Sequence, residues 1–297
     1  MDFIYLKMAL EEALQDNNIL KKIISRGIIG NGSFGKIWNC KLPNGGEIAI
    51  KRIKKEEIFK YGEDYIINSI FTELECMKKC ECKNSVKFLK YYETRNNFNI
   101  IMELCDKDLA KELSNRAEGF KADEIKNIML QLNEVFKKLE KNNIVHRDLK
   151  LENILIKYVD NSKTKFIPKL SDYGASKHLM QKYTKTKVGT IVTMAPEIMK
   201  NLPYNYKVDL WSIGVIIYQL HFKDSPYHGI NEHEIFNNII NQTPYKQAKD
   251  PLLRDLINKL LTEDPEKRLS WEEYFNHPFF ASKAKISTMP NSKNNQV

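Results

Sequence analysis

Apolar residues recur three and four apart at Ile66, Ile70, Leu74 and Met77, a spacing that predicts one buried face of a helix. A longer stripe of the same period runs through Ile125, Ile128, Met129, Leu132, Val135, Phe136 and Leu139. Two further helices are predicted from Ile235, Phe236, Ile239 and Ile240, and from Leu252, Leu253, Leu256, Ile257, Leu260 and Leu261. The stretch DLWSIGVIIYQL is apolar nearly all round, which predicts a helix buried on every side. Before Ile66 the pattern is different. From Leu20 to Ile53, strand-forming residues are broken by the turn signals GNGSFG and PNGG, and residues 85–92 and 98–104 read as two more strands separated by RNN. The predicted class is α+β: a small antiparallel-sheet lobe with one main helix, then a large, mainly helical lobe. A cleft between two such lobes is a favoured ligand site. Outside this pattern, Phe3, Leu6, Leu10 and Leu14 predict an amphipathic helix over residues 1–20, and SKAKISTMPNSKNNQV reads as a polar, disordered tail.

Composition narrows the partners. The chain has 297 residues, 42% of them hydrophobic, which suffices for a large core. A net charge of +9 suits an anionic partner, but no Lys/Arg block is long enough for a nucleic-acid tail, so the balance reads as a lysine-rich surface. The five cysteines are odd in number and form no regular framework, which predicts reduced thiols and a cytoplasmic setting, with the nucleus as the other one. Cys76, Cys80 and Cys82 stand close together without a fourth ligand, so they read as free thiols rather than a zinc site. No apolar run approaches the ~20 residues of a membrane span, and the opening MDFIYLKMALEEAL carries acids where a secretory leader carries bases.

The chemistry concentrates in a few short stretches. GNGSFGKI places Gly30, Gly32 and Gly35 in a G-x-G-x-x-G spacing, with Asn31, Ser33 and Ile37 between and after them. That spacing also opens helices in dinucleotide-binding folds, but here it falls between strand-like segments, which favours a hairpin folded over phosphates. Backbone N–H groups can approach an anion closely where side chains are missing. Ala49 and Lys51 follow on the next predicted strand, where Lys51 is placed to reach the same phosphates. An acid is needed to position its ammonium, and Glu73 flanks the inward stripe of the following helix, whereas Glu75 points further out. Between Ile144 and Ile156, IVHRDLKLENILI packs His146, Arg147, Asp148, Lys150, Glu152 and Asn153 between two apolar ends, the pattern of a loop held between two short strands.

Taken in order, Gly30–Ile37, Lys51, HRDLKLEN at 146–153, DYG at 172–174 and APE at 195–197 resemble the eukaryotic protein kinase family, over residues 22–280. The resemblance implies the two-lobed kinase fold, with a sheet lobe at 22–104, a helical lobe at 105–280, a helical extension at 1–21 and a tail at 281–297. It implies a serine/threonine kinase that uses ATP and Mg²⁺. Asp148 would be the catalytic-loop base, Lys150 would neutralise charge on the transferred phosphoryl, and Asn153 and Asp172 would ligate Mg²⁺. Lys51 would hold the phosphates and pair with Glu73. Met102 would be the gatekeeper, Glu103 and Cys105 would supply backbone groups to adenine, and Asp108 would reach the ribose or a basic substrate residue. Gly30, Asn31, Gly32, Ser33, Gly35, Ile37, Ala49 and Leu155 would line the nucleotide. Glu197 would pair with Arg268, and Asp209 would brace the catalytic loop. Thr190 would bond Asp148 and Lys150, and Thr186, or else Thr184, would take an activating phosphate opposite Arg147.

Two departures stand out: Tyr173 in DYG replaces the commoner phenylalanine, and KYVDNSKTKFIP lengthens the approach to DYG. The implied partners are protein substrates and an upstream kinase or autophosphorylation, with a monomer, no specific nucleic acid and no membrane span. The branch leans towards calcium/calmodulin-dependent-like or autophagy-initiating-like kinases. A kinase-shaped binding module without catalysis would be expected to lose Lys51, Asp148, Asn153 or Asp172, and all four are present. A small-molecule kinase would be expected to lack the APE segment.

Overall fold

The computed structural model describes residues 23–32, 35–56, 63–178, 191–241 and 243–281. The predicted helix in residues 1–20, Ser33, Thr184, Thr186, Thr190 and the tail beyond Ala281 lie outside the described residues.

Strands β1 (Ile24–Gly32), β2 (Gly35–Lys41), β3 (Glu47–Lys54), β4 (Phe88–Glu93) and β5 (Asn97–Glu103) form an antiparallel sheet in the order β1–β2–β3–β5–β4. PNGG closes the β2–β3 turn, with Gly45 at φ +87°, a conformation that glycine adopts without strain. Alternation along β3 puts Ile48 and Ile50 on one face and Ala49 and Lys51 on the other. Ile37 stands opposite Lys51, and Met102 opposite Ala49, so the second face gathers the residues expected around a nucleotide. Ile48, Ile50, Ile101, Cys40 and Leu42 make a separate apolar cluster on the first face. Gly35 has a packing reason of its own: a Cβ there would lie 2.3 Å from the Arg52 carbonyl oxygen, so only glycine lets β2 approach β3 this closely.

Helix α1 (Glu63–Lys79) follows β3 and extends the predicted stripe at both ends; it buries Ile70, Leu74, Cys76 and Met77. Lys78 and Lys79 stand in its last turn, where positive charge meets the negative end of the helix dipole.

The second lobe contains α2 (Leu109–Ser114), α3 (Ala122–Lys141), α4 (Pro196–Met199), α5 (Lys207–Phe222), α6 (Glu232–Asn241), α7 (Pro251–Leu260) and α8 (Trp271–Phe275). The α3 stripe is buried as its period predicts, and α5 is buried from Val208 to Tyr218 without a break. Short strands β6 (Lys107–Asp108), β8 (Ile154–Tyr158) and β9 (Phe166–Leu170) form a sheet in the order β6–β8–β9, and β7 (Ile144–Val145) pairs with β10 (Lys177–His178). HRDLKLEN is therefore a loop between β7 and β8. The insertion KYVDNSKTKFIP forms the end of the β8–β9 hairpin. There the Asp160 carboxylate accepts bonds from the Thr164 and Lys165 N–H groups at 3.1 Å each and from the Ser162 and Thr164 hydroxyls.

One apolar core runs from Ile53 and Ile70 through His146's neighbours to Phe280, so the two lobes share it. The turn after α1 is pinned to β9: Leu170 N–H donates to the Asn84 carbonyl at 2.8 Å, and Val86 N–H donates to the Leu170 carbonyl at 2.8 Å. Among the described residues, no helix is long and apolar enough to cross a membrane.

Candidate active site

Lys51 Nζ lies 2.6 Å from Glu73 Oε1 and 3.1 Å from Asp172 Oδ1. Strand, helix and loop thus meet at one ammonium, and Lys51 and Glu73 are both 2% exposed. Burial by itself would lower the Lys51 pKa; the charges of Glu73 and Asp172 outweigh it and hold the ammonium above its ordinary value. Burial likewise pushes Asp172 up, yet the Lys51 charge and hydrogen bond bring it below the usual carboxylate range. Burial raises Glu73, against the pull of Lys51. The two directions oppose each other, and the 2.6 Å contact decides in favour of a charged pair. Glu75, by contrast, is exposed and pairs with Lys79, one turn on.

The loop between β7 and β8 is braced from below. The Asp209 carboxylate, fully buried at the start of α5, accepts the His146 N–H at 2.8 Å and the Arg147 N–H at 2.9 Å. Burial lifts its pKa to about 6, and the two N–H bonds restrain the rise. Above that brace, Asp148 Oδ2 lies 2.8 Å from Lys150 Nζ and accepts a 2.9 Å bond from Asn153 Nδ2. Asn153 Nδ2 also donates to the Asp148 carbonyl at 2.8 Å. With its NH₂ committed in this way, the Asn153 Oδ1 makes no hydrogen bond among the described residues.

Asp172 and Arg147 both take left-handed backbone conformations, at φ +57° and +67°. Such conformations are costly for residues with a Cβ and persist where the surroundings enforce them. Arg147 Nε donates to the Ala175 carbonyl at 2.6 Å, and Nη1 donates to the Tyr204 hydroxyl at 3.2 Å. These bonds tie the DYG turn to the catalytic-loop segment. Ser171 reinforces the tie, since its N–H and its hydroxyl both donate to the Asn153 carbonyl at 2.9 Å.

At the connection between lobes, Cys105 N–H and C=O are unbonded among the described residues, as a pair of groups facing a ligand would be. Its thiol is pushed up to about 12 by burial. Glu103 carries a role that sequence reasoning did not assign. Its carboxylate accepts the Lys87 N–H at 2.7 Å and lies 2.9 Å from the buried Lys169 Nζ, which also donates to the Lys83 carbonyl at 2.8 Å. Asp108 is committed to capping α2, where it accepts the Lys111 N–H at 2.8 Å. Ile29, 46% exposed on β1 just before Gly30, was not singled out either, although its place ahead of the glycine turn marks it. Tyr204 and Lys169 had no sequence signal.

Among the described residues no cluster of three or more His, Cys, Asp or Glu side chains can hold a metal on its own. Asp172 and Asn153 instead offer two oxygen donors on adjoining segments. That donor set suits a hard divalent cation that takes its remaining oxygens from phosphates and water.

A buried Lys–Glu–Asp set beneath a glycine turn, facing a carboxylate loop across two lobes, defines the protein kinase class of phosphotransferase. The protein kinase domain family profile matches residues 24–280, and the chain belongs to that family. It is 33% identical over 263 residues to "Serine/threonine-protein kinase ATG1b" of Arabidopsis thaliana, covering 86% of this chain and 36% of that protein. It is 30% identical to "Serine/threonine-protein kinase unc-51" of Caenorhabditis elegans, covering 86% and 31%, and 30% identical to "Calcium-dependent protein kinase 4" of Plasmodium berghei, covering 89% and 51%. The chain spans about a third to a half of the length of these relatives.

Proposed function

We propose that the chain is a serine/threonine protein kinase that transfers the γ-phosphoryl group of ATP to hydroxyls of protein substrates. The observation that supports this best is the convergence of Lys51, Glu73 and Asp172 on one side of the cleft, with Asp148 held by Lys150 and Asn153 on the other. In this reading Lys51, positioned by Glu73, holds the α- and β-phosphates. Asp172 and the Oδ1 of Asn153 would hold Mg²⁺, which would supply positive charge to offset that of the phosphates. Adenine is seated between Ile29, Ile37, Ala49, Met102 and Leu155, against the backbone of Glu103 and Cys105. Gly30, Asn31, Gly32, Ser33 and Gly35 cover the phosphates.

Asp148 orients the acceptor hydroxyl and takes its proton as the new O–P bond forms. The bond from the γ-phosphorus to the β–γ bridging oxygen breaks, and ADP leaves. Lys150 offsets the charge on the moving phosphoryl, and Thr190, outside the described residues, would be the group that bonds Asp148 and Lys150. Positioning and electrostatics carry most of such a reaction. Arg147, whose side-chain partners among the described residues are the neutral Ala175 carbonyl and Tyr204 hydroxyl, would gain from a phosphate on Thr186 or Thr184. Peptide mapping of active enzyme tests that part, and full activity with both threonines unmodified overturns it. The described cysteines are free thiols, which supports the cytoplasmic setting of this reading.

The main reading is tested with labelled ATP and arrayed peptides containing serine, threonine or tyrosine. Transfer to serine and threonine, reduced about 10²–10⁴-fold by Asp148→Ala, is the expected result. Absence of transfer to any peptide at any Mg²⁺ concentration overturns it.

A further inference from the structure

Tyr173 is fully buried, yet its hydroxyl has no hydrogen-bond partner among the described residues. Its ring sits 5.2 Å from that of His146, tilted by 56°. Its hydroxyl approaches Cys80, at the end of α1, and Ser85 in the turn beyond, but neither meets it in hydrogen-bond geometry. A thiol is a poor hydrogen-bond partner, and the Ser85 hydroxyl is directed at the Val86 carbonyl, 3.4 Å away. A phenylalanine would fill the same space with no polar atom to desolvate. A buried hydroxyl with no well-formed hydrogen bond bears much of the cost of leaving water. The preceding residue, Asp172, bears a second cost in its φ of +57°. Both costs fall on one turn, whose ties to the rest of the site include the Lys51–Asp172 contact at 3.1 Å, the Arg147–Ala175 bond at 2.6 Å and the Ser171 bonds to the Asn153 carbonyl at 2.9 Å.

We propose that the Tyr173 hydroxyl is a positioning group that works against the seated DYG turn, so that the arrangement with Asp172 on Lys51 is incompletely populated until nucleotide and metal bind. A ligand that binds only the seated state has its affinity reduced by the fraction of molecules seated. The inference rests on the phosphotransfer reading and sharpens it: Tyr173 sets how readily the site assembles without touching the reacting atoms.

Tyr173→Phe removes the hydroxyl and leaves the ring. Two measurements follow: thermal unfolding without nucleotide, and Mg–ATP binding by calorimetry. Tm is expected to rise by about 2 °C or more, and Mg–ATP to bind about fivefold more tightly. Cys80→Ser places an oxygen beside the tyrosine hydroxyl, so it is expected to lower Tm less in the wild-type background than in the Tyr173→Phe background. A Tm or an affinity that is unchanged or lower in Tyr173→Phe overturns the proposal, as does an equal effect of Cys80→Ser in both backgrounds. Peptide phosphorylation is read separately. If the wild-type protein binds Mg–ATP but phosphorylates nothing, the functional reading fails while unfolding and binding still judge the hydroxyl.

Discussion

Arg268 and Glu197 face each other through two parallel bonds, Nη1 to Oε1 at 2.7 Å and Nη2 to Oε2 at 2.9 Å, with both side chains buried. The remaining donors of the guanidinium are also used, on the carbonyls of Thr262, Lys207 and Glu263 at 2.9, 2.8 and 3.1 Å. All five N–H groups of one side chain thus fasten the APE helix to the end of the domain, and the guanidinium plane lies over Trp211, 5.1 Å from its centroid. A lysine cannot reproduce a planar fork of five donors. Arg268→Lys is therefore expected to destabilise the fold by about 3 kcal/mol, measured by urea unfolding. A loss within experimental error would show that the bonds are dispensable.

Glu73 and Glu75 stand two residues apart on α1 and should respond differently. Glu73→Gln leaves an acceptor for Lys51 but removes the charge, so kcat/KM is expected to fall about a hundredfold. Glu75→Gln breaks an exposed pair one turn long, worth about 0.3–0.5 kcal/mol. Steady-state kinetics on both variants checks the contrast, which fails if the two lose activity equally.

Tyr204 holds Arg147 from the far side of the catalytic loop through a 3.2 Å bond. Tyr204→Phe keeps the buried ring and releases one guanidinium N–H. The expected result is a kcat lower by about threefold to tenfold, about 0.7–1.4 kcal/mol and within the range for an ordinary lost hydrogen bond, with the ATP KM little changed. Equal kcat in the two proteins would remove Tyr204 from the chain of contacts that orders the DYG turn.

Asp209 predicts a pH dependence of stability. Its folded pKa of about 6 lies above the ordinary 3.8, so between those values the folded protein binds more protons than the unfolded chain. Stability from this group is greatest below 3.8, falls as pH rises to 6, and is level beyond. Asp209→Asn has no such titration. The stability of wild type relative to Asp209→Asn is expected to drop by about 1.4 kcal/mol between pH 5 and pH 7.5. Paired denaturant curves at the two pH values measure it, and a gap that stays constant or widens in favour of wild type contradicts the assignment.

Period and spacing carried much of the architecture. The α1, α3 and α5 patterns are strong because one face, or every face, of each helix meets the core, and that demand is written locally. The pairing of Glu73 with Lys51 was legible for the same reason, since a helical face can be counted from Leu74 and Met77. The contacts of Lys169 with Glu103, and of Tyr204 with Arg147, join residues 66 and 57 positions apart on elements without a repeating pattern, so no window of sequence holds them. Gly35 shows a different limit. A glycine expected to make room for phosphates also makes room for a neighbouring strand, and the spacing alone cannot separate the two demands.

Lys169 and Asp172 are three residues apart on one short ribbon, the first gripping the connection between lobes at Glu103 and the second gripping Lys51. Anything that tugs Glu103 therefore pulls on the tether that carries Asp172. An occupant confined to the base end of the cleft can in this way be felt at the phosphate end through a single span of backbone, with no need for one lobe to swing against the other.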